Sequence, residues 1–190
     1  EALDGRIALG AGDAETHLLR ARALAACDKP EEAYQAFVLA FERGAGDPLC
    51  LVSAASLSFD ERLRHSPACR EQARAWLERA AESDPQLTLA HYYLGVVCEE
   101  EHDLDGALRH YERAVETDPG DGSSLTRLAG GLDALGQSER AAPIARRALE
   151  HERDPESRAR PKRLPGPRGP SPAQRPAPRG SAGPPVLAGR

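Results

Sequence analysis

The chain has 190 residues, 29% of them charged, 40% hydrophobic and only 4% aromatic, with no Met. A core must therefore come mainly from Ala and Leu, the composition of packed helices rather than of a β-sandwich. The net charge of −5 hides a division, since residues 1–150 carry 16 basic and 27 acidic side chains and residues 151–190 carry 9 and 3; an acidic body argues against a nucleic-acid-binding fold, because phosphate attraction needs the opposite sign.

Residues 1–13 open on Glu1 and an acidic turn rather than on a basic and then apolar signal segment. They contain Ile7-Ala8-Leu9, read as the last turns of a preceding helix. From there a small-residue pattern recurs at helical i, i+4, i+7 spacing: Ala33, Phe37, Ala40; Ala73, Leu77, Ala80; Ala107, Tyr111, Ala114; and Ala141, Ala145, Ala148. The first members of these sets are 40, 34 and 34 residues apart, so a period of 34 is interrupted by one six-residue insertion. The period divides the body into 14–47, 48–87, 88–121 and 122–155, each read as two antiparallel helices, with the insertion lengthening the turn around Leu63–Pro67. Asp28, Ser66, Asp103 and Ser138 are the predicted N-caps, and Ser66-Pro67 puts Pro at a first helical position. Asp47-Pro48, Asp84-Pro85 and Asp118-Pro119 are predicted to break helices between repeats. Small residues at Ala21, Ala55, Gly95 and Ala129 would let paired helices approach closely. Residues 156–190 hold nine Pro and five Gly among scattered Arg, a composition that cannot offset its ordering entropy, and are read as a disordered tail. No apolar run approaches the roughly 20 residues of a membrane span. The four thiols, Cys27, Cys50, Cys69 and Cys98, form no Cys-x-x-Cys pair and fit a reducing, cytoplasmic setting.

The 34-residue period, with Leu-Gly followed by Ala, an aromatic, Ala and a closing Pro, resembles the tetratricopeptide repeat. Residues 88–121 carry it best: Leu94, Gly95, Ala107, Tyr111, Ala114 and Pro119 match six of eight signature positions, while His91 and Cys98 stand where Trp and Tyr are preferred. The resemblance implies an all-α solenoid of about four helix-turn-helix repeats. It also implies a concave groove lined by the first helix of each repeat. Here that lining is Leu18 and Arg22; Leu49, Val52 and Ser56; Leu89, Tyr92 and Val96, with Glu99 at the end of the same helix; and Ser123, Arg127 and Gly130. Tyr92 is the expected aromatic anchor. Family members that clamp a C-terminal carboxylate use Lys and Asn at fixed groove positions; Leu18, Arg22 and Ser53 leave that set incomplete.

Other constellations have plainer readings. His91, Cys98 and His102 fall roughly along one helical stripe and would suit zinc. In the repeat register, however, His91 and Cys98 are core positions and His102 a turn, so no metal and no cofactor are expected. Glu99-Glu100-Glu101 reads either as an acidic rim for a basic peptide or, preferred, as a solvated helix end. Trp76 reads as packing between repeats, and Pro167-Arg168-Gly169-Pro170 as a chance P-x-x-P match in a solvated linker. Nucleophile-elbow, Walker, HExxH and dinucleotide signatures are absent from the sequence. The expectation is a non-catalytic scaffold for a protein or peptide partner, without small-molecule substrate or membrane span; any nucleic-acid contact would belong to the basic tail alone. The alternative makes this segment, with its missing Met and uncapped ends, the repeat arm of a larger kinase- or glycosyltransferase-type enzyme or secretion component.

Overall fold

The computed structural model describes residues 13–153; the readings of residues 1–12 and of the Pro-rich tail fall outside them. Eight helices follow one another: α1 (Ala14–Ala26), α2 (Pro30–Glu42), α3 (Pro48–Ser56), α4 (Pro67–Ser83), α5 (Thr88–Glu100), α6 (Leu104–Thr117), α7 (Gly122–Ala134) and α8 (Ser138–Arg153). No strand occurs among the described residues. Odd and even helices pair, and each pair stacks on the next, giving an all-α solenoid of four helix-turn-helix units. No helix of the described residues is long and apolar enough to cross a membrane.

Side-chain size explains the pairing. Ala21, Ala55, Ala33 and Ala73 are completely buried, and Ala107, Ala129 and Ala141 nearly so, where the helices of a pair cross. Tyr111, Phe37 and Leu77 fill the space these small residues leave, each 1% exposed or less. Trp76 meets Tyr34 and Phe41 of α2 with ring centroids 5.3 and 5.1 Å away, so the single Trp packs the first pair against the second.

Three of the four turns inside pairs use one device. Asp28, His102 and Gly136 hold φ of 57°, 63° and 75°, a left-handed step that reverses the chain. The amide after each donates back to a carbonyl five residues earlier: Lys29 to Leu24 at 3.0 Å, Asp103 to Cys98 at 2.9 Å and Gln137 to Leu132 at 2.8 Å. Glycine takes this conformation without the Cβ clash, so His102→Gly should stabilise the chain by about 1 kcal/mol. A chemical-denaturation midpoint measured beside wild type checks it; a lower midpoint would show that the exposed imidazole contributes more than its backbone costs.

The left-handed step also corrects the predicted cap at Asp28: Lys29 is the N-cap of α2, without a side-chain hydrogen bond. Ser66 and Asp103 do cap, accepting from the amides of Cys69 at 3.4 Å and Gly106 at 2.9 Å. Ser138 instead begins α8 and donates its hydroxyl to Asp133 at 3.1 Å. Asp84 and Asp118 end helices as expected, whereas Asp47 opens one, its carboxylate accepting from the Cys50 amide at 3.2 Å with Pro48 in the first helical position.

The insertion is divided between a turn and a helix. After α3 a 3-10 segment, Leu57–Phe59, leads into a turn over 60–66, and α4 begins at Pro67, making it the longest helix at 17 residues. Phe59 and Leu63 are buried, anchoring the added chain.

Charge joins the units. Acids of the third pair meet arginines of both neighbours: Glu101 with Arg74, Glu99 with Arg127 at 2.6 Å, and Glu112 with Arg140 at 2.9 Å. The run Glu99-Glu100-Glu101, expected to be a solvated helix end, is thus partly drawn into the stack; the Glu99 side chain is only 17% exposed.

Candidate partner-binding face

The first helix of each pair carries the residues implied as groove lining, and their accessibility divides them. Leu18 on α1 and Leu89 on α5 are half-buried, Leu49 on α3 is 49% exposed, and Arg22 on α1 is exposed. Leu49 and Leu89 occupy the same place in successive units, second residue of their helices, because each helix opens just before them at Pro48 and Thr88. The Arg22 guanidinium crosses to α3 and donates to Cys50 Sγ at 3.3 Å, bringing a cation beside the leucines.

Val52, Ser56, Tyr92 and Val96 lie beneath this surface, all 8% exposed or less. The expectation of Tyr92 as an exposed anchor is corrected. Its ring sits edge-on to Tyr93 at 5.2 Å and tilted against Tyr111 at 6.1 Å, because Gly95 one turn on lets the Tyr111 ring come up close to α5. Ser56 turns its hydroxyl to its own helix, donating to the Ser53 carbonyl at 2.8 Å.

Glu99 and Arg127 form a largely enclosed ion pair between α5 and α7. The Tyr111 hydroxyl is buried against the same carboxylate, and burial, reinforced by that negative charge, pushes its pKa well above the usual phenol range. Both charges are therefore spent on each other. On α7, Ser123 and Gly130 are exposed. Gly130 sits with Ala129 and Asp133 at the edge of a shallow depression whose other wall is Ala141, Ala142 and Ala145 of α8.

His91, Cys98 and His102 are not brought together. His91 Nε2 faces the Pro85 carbonyl at 3.1 Å and its ring stacks on His110 at 6.2 Å. Cys98 is buried, its thiol pushed up by burial and partly offset by Arg74, and His102 is exposed on the turn. Among the described residues no three His, Cys, Asp or Glu side chains are placed to hold a metal ion.

Sequence reasoning missed Arg64 and Arg70. Arg64 sits in the insertion, where no register position points to it, Arg70 stands at the α4 position matching Leu104, outside the groove lining, and both lie within electrostatic reach of Glu100 at the end of α5.

Residues 88–121 match the family model described as Tetratricopeptide repeat. No curated protein matches the sequence. Among solved structures, one of MamA is 21% identical, covering 80% of this chain and 85% of its own, with a TM-score of 0.67. YrrB, described as a TPR protein with an unusual peptide-binding site, is 19% identical, covering 82% of this chain and 77% of its own, with a TM-score of 0.68. Residues 88–121 thus carry the tetratricopeptide repeat pattern, and the described body shares the fold of MamA and YrrB.

Proposed function

We propose that the chain is a non-catalytic interaction scaffold holding a segment of a protein partner along the face formed by α1, α3, α5 and α7. The observation that carries this is a row of leucines that the core covers only in part, Leu49 exposed and Leu18 and Leu89 half-buried against it, one on each of three successive first helices. Val52, Ser56, Tyr92 and Val96 act as the floor that fixes them, and Arg22 supplies polar contact at the rim. Glu99 and Arg127 hold the α5 and α7 ends of the face in register. The peptide-binding site of YrrB is a precedent on the same fold. The free thiols of Cys27, Cys50, Cys69 and Cys98 favour a cytoplasmic setting, where a reducing poise preserves them.

Leu49→Glu tests the reading. A substitution at a half-exposed position should change stability by no more than about 0.5 kcal/mol. Yet a carboxylate placed in an apolar contact should abolish capture of partners by the immobilised full chain. Retention of every captured partner by Leu49→Glu, together with loss on deleting residues 156–190, would move binding from this face to the tail.

A further inference from the structure

The insertion brings the Arg64 guanidinium up to the Glu100 carboxylate, with Arg70 near enough to act on the same group electrostatically. Phe59 and Leu63 are buried, and Arg62 bonds Asp60 at 2.9 Å and Asp28 at 2.7 Å, so the turn is held to the first helix pair. With both neighbours fixed, Arg64 faces the end of α5, its Nη2 3.8 Å from Glu100 Oε1 and beyond hydrogen-bonding distance. Arg70, in the first turn of α4, has a buried Nε with no hydrogen-bond partner, and its guanidinium enters no ion pair among the described residues. Glu100 feels Arg64, Arg70 and Arg127, but Arg127 is committed to Glu99 at 2.6 Å. The cluster therefore holds three arginines against two glutamates. Burial still pushes the Glu100 carboxyl up from its ordinary value, so the nearby guanidinium groups do not fully compensate its desolvation.

A buried guanidinium N–H without an acceptor is unusual enough in a folded chain to need a ligand or solvent to complete it. The planar fork of Arg matches a carboxylate with two parallel hydrogen bonds. We infer that Arg64 and Arg70 form an anion subsite at the edge of the partner-binding face, taking an Asp or Glu side chain of the bound segment. This rests on the scaffold reading above and adds to it a charge preference. That preference is opposite to the basic peptide an exposed Glu99-Glu100-Glu101 run would attract. Glu100 lies eleven residues along α5 from Leu89, about 16 Å at the helical rise. An extended peptide spans that distance in about five residues. The occupant is thus an apolar segment with an acidic residue about five positions from its leucines.

Two labelled dodecapeptides test this on the full chain. Each carries a Leu pair and, five residues on, either a Glu pair or a Gln pair in a Ser/Gly background. Fluorescence anisotropy should show the Glu peptide binding about tenfold tighter. Arg64→Gln with Arg70→Gln should erase the difference and leave Gln-peptide affinity unchanged, with helical content retained by circular dichroism although Glu100 loses the cations that offset its burial. Leu49→Glu should weaken both peptides. Equal affinity of wild type for the two peptides would overturn the subsite and leave the apolar face standing, and binding of neither would overturn both. A Glu preference surviving in the double Arg variant would place the cation elsewhere. Equal loss of both peptides in the double variant would make the arginines structural.

Discussion

Gly95→Leu should lower the melting temperature more than any other substitution at the crossings of paired helices, and Gly95→Ala should already lower it. A Cβ on Gly95 would lie 2.4 Å from Tyr111 Cε1, 2.7 Å from Cδ1 and 2.8 Å from Cζ, and the Tyr111 ring is completely buried, so it has nowhere to move. Overpacking of this kind costs about 1–3 kcal/mol, and in an array of this size each kcal/mol corresponds to about 4 °C. Gly130 provides the control. Nothing lies within 4 Å of a Cβ built there, on an exposed helical position, so Gly130→Ala should raise stability by about 0.5–1 kcal/mol. Combining Gly95→Ala with Tyr111→Leu should cost less than the sum of the two single changes, because the smaller side chain relieves the clash. Strict additivity in thermal melts would show that the glycine is not at a tight crossing.

Arg127→Ala should be nearly as damaging. Glu99 and Arg127 are 17% and 15% exposed and 2.6 Å apart, so removing the guanidinium strands a carboxylate in a mostly dry junction beside the Tyr111 hydroxyl. Losing one partner of such a pair costs about 3 kcal/mol. The chain contains its own apolar version of the contact. At the preceding junction, the equivalent positions are Phe59 and Tyr93, whose rings stack 5.5 Å apart at 13°. Glu99→Phe with Arg127→Tyr should therefore recover stability to within about 1 kcal/mol of wild type. Denaturation midpoints of the single and double variants check this. If the double variant is as weak as Arg127→Ala, the two junctions do not share a geometry.

These two contacts show what the sequence makes legible. Gly95, Ala107 and Tyr111 could be assigned in advance because close helix approach demands small residues at fixed spacing, and the spacing survives in one dimension. The Asp103 and Ser66 caps were legible for a similar reason, being local hydrogen bonds three residues long. Asp28 misled because an acidic residue before a helix also suits a left-handed turn, and the Pro at position 30 moved the helix start one residue further on. Tyr92 misled because which face of a first helix stays open depends on how tightly its neighbours wind. That is set by side chains distant in sequence, here Tyr93 and Tyr111. The partners of Glu99, Glu101 and Glu112 were invisible for the same reason, each arginine lying 27 or 28 residues away. Arg64 acquires its position only through the fold of an insertion that follows no period.

Hydrogen exchange of the full chain, alone and with the partner that it captures, tests the central claim most directly. The amides of α1, α3 and α5, with those of the turn over 60–66, should slow on binding, while the outer faces of α2, α4 and α6 exchange as before. Protection confined to the second helices, or to residues 156–190, would contradict it.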